Sequence, residues 1–145
     1  MPKLMTLLRC LPLVIGLATT AGCTSVYRTP GAEAVAGSEL AVLEYNGGLA
    51  IGVNIIEVDG KHRGAGFFRR YELTPGAHSI TVALNLGLGF SAKSQLLTFE
   101  AKASEVYDLK YEIKNTGYNT GTWRVWIEEK ATGRVISAMD GQART

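Results

Sequence analysis

Leu73-Thr74-Pro75-Gly76-Ala77-His78-Ser79-Ile80-Thr81-Val82-Ala83-Leu84-Asn85-Leu86 is the stretch that decides the fold class. On an extended chain, Ile80, Val82, Leu84 and Leu86 share one side, and Ser79, Thr81, Ala83 and Asn85 share the other. Successive side chains of a strand point to opposite faces, so this alternation predicts a half-buried β-strand. Thr74-Pro75-Gly76 ahead of it has the form of a type II turn. Pro sets φ at the second position and Gly accepts a positive φ at the third.

The same grammar continues in both directions. Upstream, Glu39 to Tyr45 predicts a first strand, closed by Asn46-Gly47-Gly48, and Leu49 to Val58 predicts a second. Asp59-Gly60 is the strongest hairpin signal, because both residue types tolerate the positive φ of a type I′ turn. Lys61 to Phe68 returns as a strand made irregular by Gly64 and Gly66. Tyr71 to Leu73 leads into the Pro-Gly turn.

Downstream, Gly87-Leu88-Gly89-Phe90 interrupts the alternating strand, and Ser94 to Ala101 follows with Leu97, Phe99 and Ala101 on one face. Val106 to Lys114 sets Tyr107, Leu109, Tyr111 and Ile113 inward, with Asp108, Lys110, Glu112 and Lys114 outward. Such a strand has one wet face. Thr122 to Lys130 is expected to bury Trp123, Val125 and Ile127, and Thr132-Gly133 turns into Arg134 to Ala138.

No stretch of ten residues beyond the first 22 carries a helical stripe. The expectation is an all-β chain, a single antiparallel β-sandwich of about seven or eight strands. A small β-barrel is the alternative, since alternation does not distinguish closure from two packed sheets. Uneven strand lengths and clustered Gly-rich loops favour the sandwich. The β domain is placed at residues 39–140, with 141–145 as a tail.

Residues 1–23 read MPKLMTLLRCLPLVIGLATTAGC. Lys3 and Arg9 make a basic n-region, Leu11 to Ala18 a short apolar core, and Thr20, Ala21 and Gly22 are small residues ahead of Cys23. About 20 apolar residues are needed to span a bilayer, so this run suits a helical signal peptide over residues 1–22 better than a permanent anchor. An ordinary secretory signal with an incidental Cys, or a buried N-terminal helix, also accommodates these residues.

Thr20-Ala21-Gly22-Cys23 resembles the lipobox of bacterial lipoproteins, with Thr20 where that family most often has Leu. The resemblance implies a diacylglycerol on the Cys23 thiol, cleavage before Cys23 and acylation of the new amino group. Thr24 is not the Asp that often retains such proteins in the inner membrane, so the resemblance implies an outer-membrane address facing the periplasm. Residues 23–38, with Pro30-Gly31 and many small side chains, are expected to form a lipidated flexible tether.

Cleavage there leaves Cys23 as the remaining cysteine, since Cys10 lies in the leader. This excludes an internal disulfide and a thiolate metal cage. All 13 acidic residues and 13 of the 15 basic ones lie beyond Cys23, a formal balance of zero. Nucleic-acid binding needs a clustered basic surplus and is not expected.

Three further segments carry a second resemblance. Val58-Asp59-Gly60-Lys61, Leu73-Thr74-Pro75-Gly76-Ala77-His78 and Ala103-Ser104-Glu105-Val106-Tyr107, with the Trp123-to-Gly133 strand and turn, look like the PEGA-type module and its periplasmic lipoprotein relatives. Over roughly positions 50 to 138 this implies an immunoglobulin-like or transthyretin-like sandwich of extracytoplasmic, accessory or adhesion-like role. It implies no catalytic residues.

Chemistry-bearing patterns are sparse. His62 and His78 are the two histidines, and no His pair at ligand spacing supports zinc. Both are expected as exposed or hydrogen-bonded edge residues. There is no Gly-x-Ser-x-Gly elbow, and Gly87-Leu88-Gly89-Phe90-Ser91 lacks the Lys and helix of a phosphate loop. Glu100, Glu105, Asp108, Glu112, Glu128 and Glu129 read as a solvated face that alternates with lysines, and Arg69-Arg70 as ordinary surface.

No catalytic residue, metal or cofactor is expected. The candidate partner-binding residues are Leu88 and Phe90 in a Gly-flanked loop, and Tyr118 in the Asn-Thr-Gly doublet of residues 115–121. Aromatics on polar loops suit a glycan or envelope-protein partner. The competing reading, which aromatics on strands favour, is a long hairpin loop with Tyr118 covering the sandwich end. The expected role is a non-enzymatic envelope lipoprotein, a binding or structural accessory module joined to the membrane by its lipid. A small-ligand carrier with a barrel-like cavity is the alternative, and an enzyme a remoter one.

Overall fold

The computed structural model describes residues 25–47, 52–87, 90–91, 94–117 and 120–144. In it the alternating stretch behind Pro75 is a strand of twelve residues. In chain order the strands are β1 Val26–Arg28, β2 Ala41–Tyr45, β3 Gly52–Val58, β4 Lys61–His62, β5 Arg70–Leu73 and β6 Gly76–Gly87. There follow β7 Phe90–Ser91, β8 Gln95–Ala101, β9 Val106–Gly117, β10 Thr120–Glu129 and β11 Val135–Arg144. Two short 3₁₀ turns, Ala32–Ala34 and Gly37–Glu39, complete the described regular structure.

These strands form two sheets. One runs β1-β5-β2-β9-β10-β11; in the other β4-β3-β6 is continued on the far side of β6 by β7 and β8. The chain is thus all-β and sandwich-like, with its core between the sheets. The six-stranded sheet contributes Leu43, Tyr71, Tyr107, Trp123, Val125 and Ile127 to that core, and the other contributes Val53, Ile55, Ile80, Val82, Leu84 and Leu97. Apolar burial of this kind is worth about 25 cal/mol for each Å² removed from water.

The expected antiparallel pairing holds for most neighbours, with two exceptions. β1 pairs parallel with β5, and β2 parallel with β9. Parallel partners need no tight turn between them, so no turn motif announces them.

The tether expected over residues 23–38 is corrected as well. Val26, Tyr27 and Arg28 lie opposite Arg70, Tyr71 and Glu72. Buried Thr29 receives the Thr74 N–H on its hydroxyl at 3.3 Å and donates its own N–H to the Glu72 carbonyl at 3.0 Å. Ser104 Oγ donates to the Ser38 carbonyl at 2.6 Å. Pro30-Gly31 is a turn within the folded unit, Gly31 taking φ 90°. The expected 141–145 tail is corrected too, because β11 runs on to Arg144 opposite Thr120.

Local rules explain most strand boundaries. Asp59 and Gly60 both have positive φ, 52° and 69°, as a type I′ hairpin requires. The hairpin's return is short: β4 holds two residues, and Gly64 and Gly66, with φ 79° and 129°, take the chain off the sheet.

In β3 the register shifts between Ile55 and Glu57. That bulge lets Ile55 and Val58, three positions apart, both be buried, which strict alternation forbids. Gly47 passes directly over the Tyr45 hydroxyl, leaving no room for a β-carbon.

Candidate functional site

Cys23, Leu88 and Tyr118 lie outside the described residues. Phe90 opens β7, whose backbone pairs with Gly87. The surfaces described below are built from other residues.

Of the two forms expected, exposed or hydrogen-bonded, His78 takes the second, and it is buried. Its Nδ1 lies 2.8 Å from Asp59 Oδ2 and its Nε2 2.6 Å from the Thr74 carbonyl. Asp59 Oδ1 also accepts the Ser79 N–H at 2.9 Å. The imidazole thus bolts the Asp-Gly hairpin to the Pro-Gly turn. With both ring nitrogens engaged, it has none free to take a proton from a substrate. His62 is exposed at β4 and accepts the Gly64 N–H on Nδ1 at 3.1 Å. Among the described residues no group of three His, Cys, Asp or Glu side chains is placed to hold a metal ion.

The charged face is organised by strand parity, with one correction. Glu128 points outward and accepts from Lys110 and from Trp126 Nε1–H at 3.0 Å. The Lys110 hydrogen bond, the largest cause, holds the Glu128 carboxyl below its ordinary range. Glu129, expected outward, continues the inward row of Trp123, Val125 and Ile127 and is nearly buried. Arg134 and Thr132, just past the turn, bond its carboxylate, with Lys102 3.7 Å away. The Arg134 hydrogen bond leads in lowering its pKa to about 2. Adjacent residues cannot both alternate outward, a signal already present in Glu128-Glu129.

Trp126 went unnoticed in the sequence. It stands on the outer face of the six-stranded sheet, out of phase with Trp123, opposite Lys110 and with the Arg124 guanidinium 5.9 Å from its ring centre. A shallow, open depression of about 270 Å³ lies beside it, lined by Glu44, Asp108, Lys110 and Tyr111. A half-buried indole rimmed by charges is a platform on which a sugar ring or partner side chain can stack.

A second aromatic group gathers where β1 enters the sheet. The rings of Tyr27, Phe68 and Tyr71 pack with centres 5.5 to 6.2 Å apart. Burial pushes the Tyr71 hydroxyl up to about 12. Arg63 spans the segment leading to β5, donating to the Ile55 and Gly66 carbonyls with its guanidinium 5.6 Å from the Phe68 ring centre. Phe67, beside this cluster, is 63% exposed.

No protein family, curated protein or solved structure searched matches this chain.

Proposed function

We propose that the chain is a non-enzymatic lipoprotein of the cell envelope, anchored through Cys23 and facing the periplasm as a binding or structural accessory module. The observation that carries this reading is Ala21-Gly22-Cys23 standing in register behind Lys3, Arg9 and the Leu11-to-Ala18 apolar run. Cys23 stands three residues before the first described strand, at Val26, which fits an anchor on the N-terminal side of the sandwich. Two or three acyl chains anchor stably where one would not. The turn resemblance to PEGA-type modules fits the same compartment. An envelope protein or glycan is the partner, and the Trp126 face is its point of contact.

Metabolic labelling with a palmitate analogue tests the anchor. Label on the wild-type protein and none on Cys23→Ala is the expected result. A native product that begins at Met1 with a free thiol, or a labelled Cys23→Ala protein, overturns it. Crosslinking in intact cells tests the contact face: Trp126→Ala is expected to lose the partner band at unchanged abundance, and an unchanged band rejects that face.

A further inference from the structure

We propose that the segment from Arg63 to Arg70 is a second membrane contact, with Phe67 set among the lipid headgroups and Arg69 on their phosphates. The inference rests on the lipid-anchor reading and deepens it.

Connectivity brings this segment to the bilayer. Cys23 precedes Val26 by three residues, and an extended chain covers at most about 3.6 Å per residue, so the acylated residue lies within about 11 Å of the start of β1. Val26 stands opposite Arg70 in β5. Phe67 is in turn three residues from Arg70, again within about 11 Å by the same limit. A lipid on Cys23 therefore delivers the β1–β5 corner of the sandwich, and Phe67 with it, to the surface holding the acyl chains.

Charge favours a phospholipid surface as the occupant. Among the described side chains, the lysines and arginines with no carboxylate at ion-pairing distance are Lys61, Arg63 and Arg69, all in or just before this segment. Arg28 and Arg70 share one carboxylate, that of Glu72. The chain beyond Cys23 is formally neutral, so a local surplus of guanidinium here is a property of this corner. Anionic headgroups attract such surpluses within a Debye length.

Shape fits the same occupant. Phe67 is the most exposed large apolar side chain described. Beside it, Phe68 is held by Tyr27, Tyr71 and Arg63, so Phe67 projects from a braced base. An aromatic ring flanked by arginines suits the boundary between headgroups and acyl chains. Together with a leash of three residues, this contact holds the sandwich against the bilayer.

The test uses the full-length protein processed in cells, extracted in detergent and reconstituted into phosphatidylcholine vesicles with phosphatidylglycerol and a brominated phospholipid. Phe67→Trp is compared with Leu96→Trp, an exposed position on β8, whose strand packs beside β11 at the opposite side of the sandwich. The parent protein's Trp emission is subtracted from each.

The expected result is blue-shifted emission from the indole that Phe67→Trp introduces, quenched at least twofold more than the indole of the Leu96→Trp protein. Adding Arg69→Glu, or omitting phosphatidylglycerol, reduces the quenching. If mass spectrometry shows acylated protein but the two variants are quenched equally, this inference falls and the anchor stands; a protein partner covering Phe67 gives that same outcome. If Cys23 carries no acyl chain, both fall.

Discussion

His78 Nδ1 lies 2.8 Å from Asp59 Oδ2, joining β6 to the turn between β3 and β4. A buried imidazole with both nitrogens in contact is costly to replace, because Asp59 and the Thr74 carbonyl lose their partner together. His78→Ala is expected to destabilise the fold by about 1–3 kcal/mol. Urea denaturation followed by Trp fluorescence measures it. A variant as stable as the wild type would show that the bolt contributes nothing.

Glu129 produces a pH signature. Its folded pKa, about 2, lies below the 4.5 of the free side chain, mainly through the Arg134 hydrogen bond. A depressed carboxyl stabilises above the unfolded pKa and loses that contribution as pH falls through the folded one. Glu129→Gln should therefore melt below the wild type at neutral pH. The gap should close between about pH 4.5 and pH 2. Parallel thermal melts across that range decide it, and a gap that does not vary with pH would assign the effect to packing.

Tyr45 Oη and Trp123 Nε1 are buried and have no hydrogen-bonding partner among the described residues. Burial also raises the Tyr45 pKa far above its ordinary value. Deleting an unsatisfied hydroxyl removes a desolvation cost, so Tyr45→Phe is expected to be neutral or stabilising by up to about 1 kcal/mol. Gly47→Ala should act oppositely, at about 1–3 kcal/mol, since its methyl would collide with the Tyr45 ring end. Combining the two changes tests the contact, because Tyr45→Phe should relieve part of the Gly47→Ala penalty.

Glu72 holds β1 to β5 through Arg28 at 2.7 Å and Arg70 at 3.1 Å. The Arg28 hydrogen bond leads in lowering its pKa. Glu72→Gln should leave the global melting temperature within a few degrees, yet accelerate amide exchange at Thr29, whose N–H donates to the Glu72 carbonyl. Hydrogen exchange that is unchanged at Thr29 would place the hold on β1 in the Tyr27 ring contacts instead.

What was legible in the sequence follows from the range of each signal. Alternation and turn chemistry act within a few residues, so β6, β8, β9, β10 and the Asp59-Gly60 hairpin could be read directly. Val26-Tyr27-Arg28 is too short to show a period, and its partner Arg70-Tyr71-Glu72 lies far along the chain, so a strand passed for a linker. The bulge in β3 is invisible to a strict period of two.

Functional surfaces were harder to see. Trp126 could have been found from its phase against Trp123, and Phe67-Phe68 between arginines from its composition. Glycines at 64 and 66 made that segment look like an irregular strand. Leu88 and Tyr118, which the sequence offers as apolar and aromatic residues in Gly-rich loops, lie outside the described residues.

The parallel pairing of β2 with β9 couples residues 42–45 to residues 106–109 in the middle of the larger sheet. Contacts so distant along the chain form late, after the entropy of closing the intervening loop has been overcome. Early synthesis therefore yields β1 to β6, which pair among themselves, while the edge of β2 waits for β9. The larger sheet therefore stays in two pieces, β1-β5-β2 and β9-β10-β11, until the final third of the chain has been made.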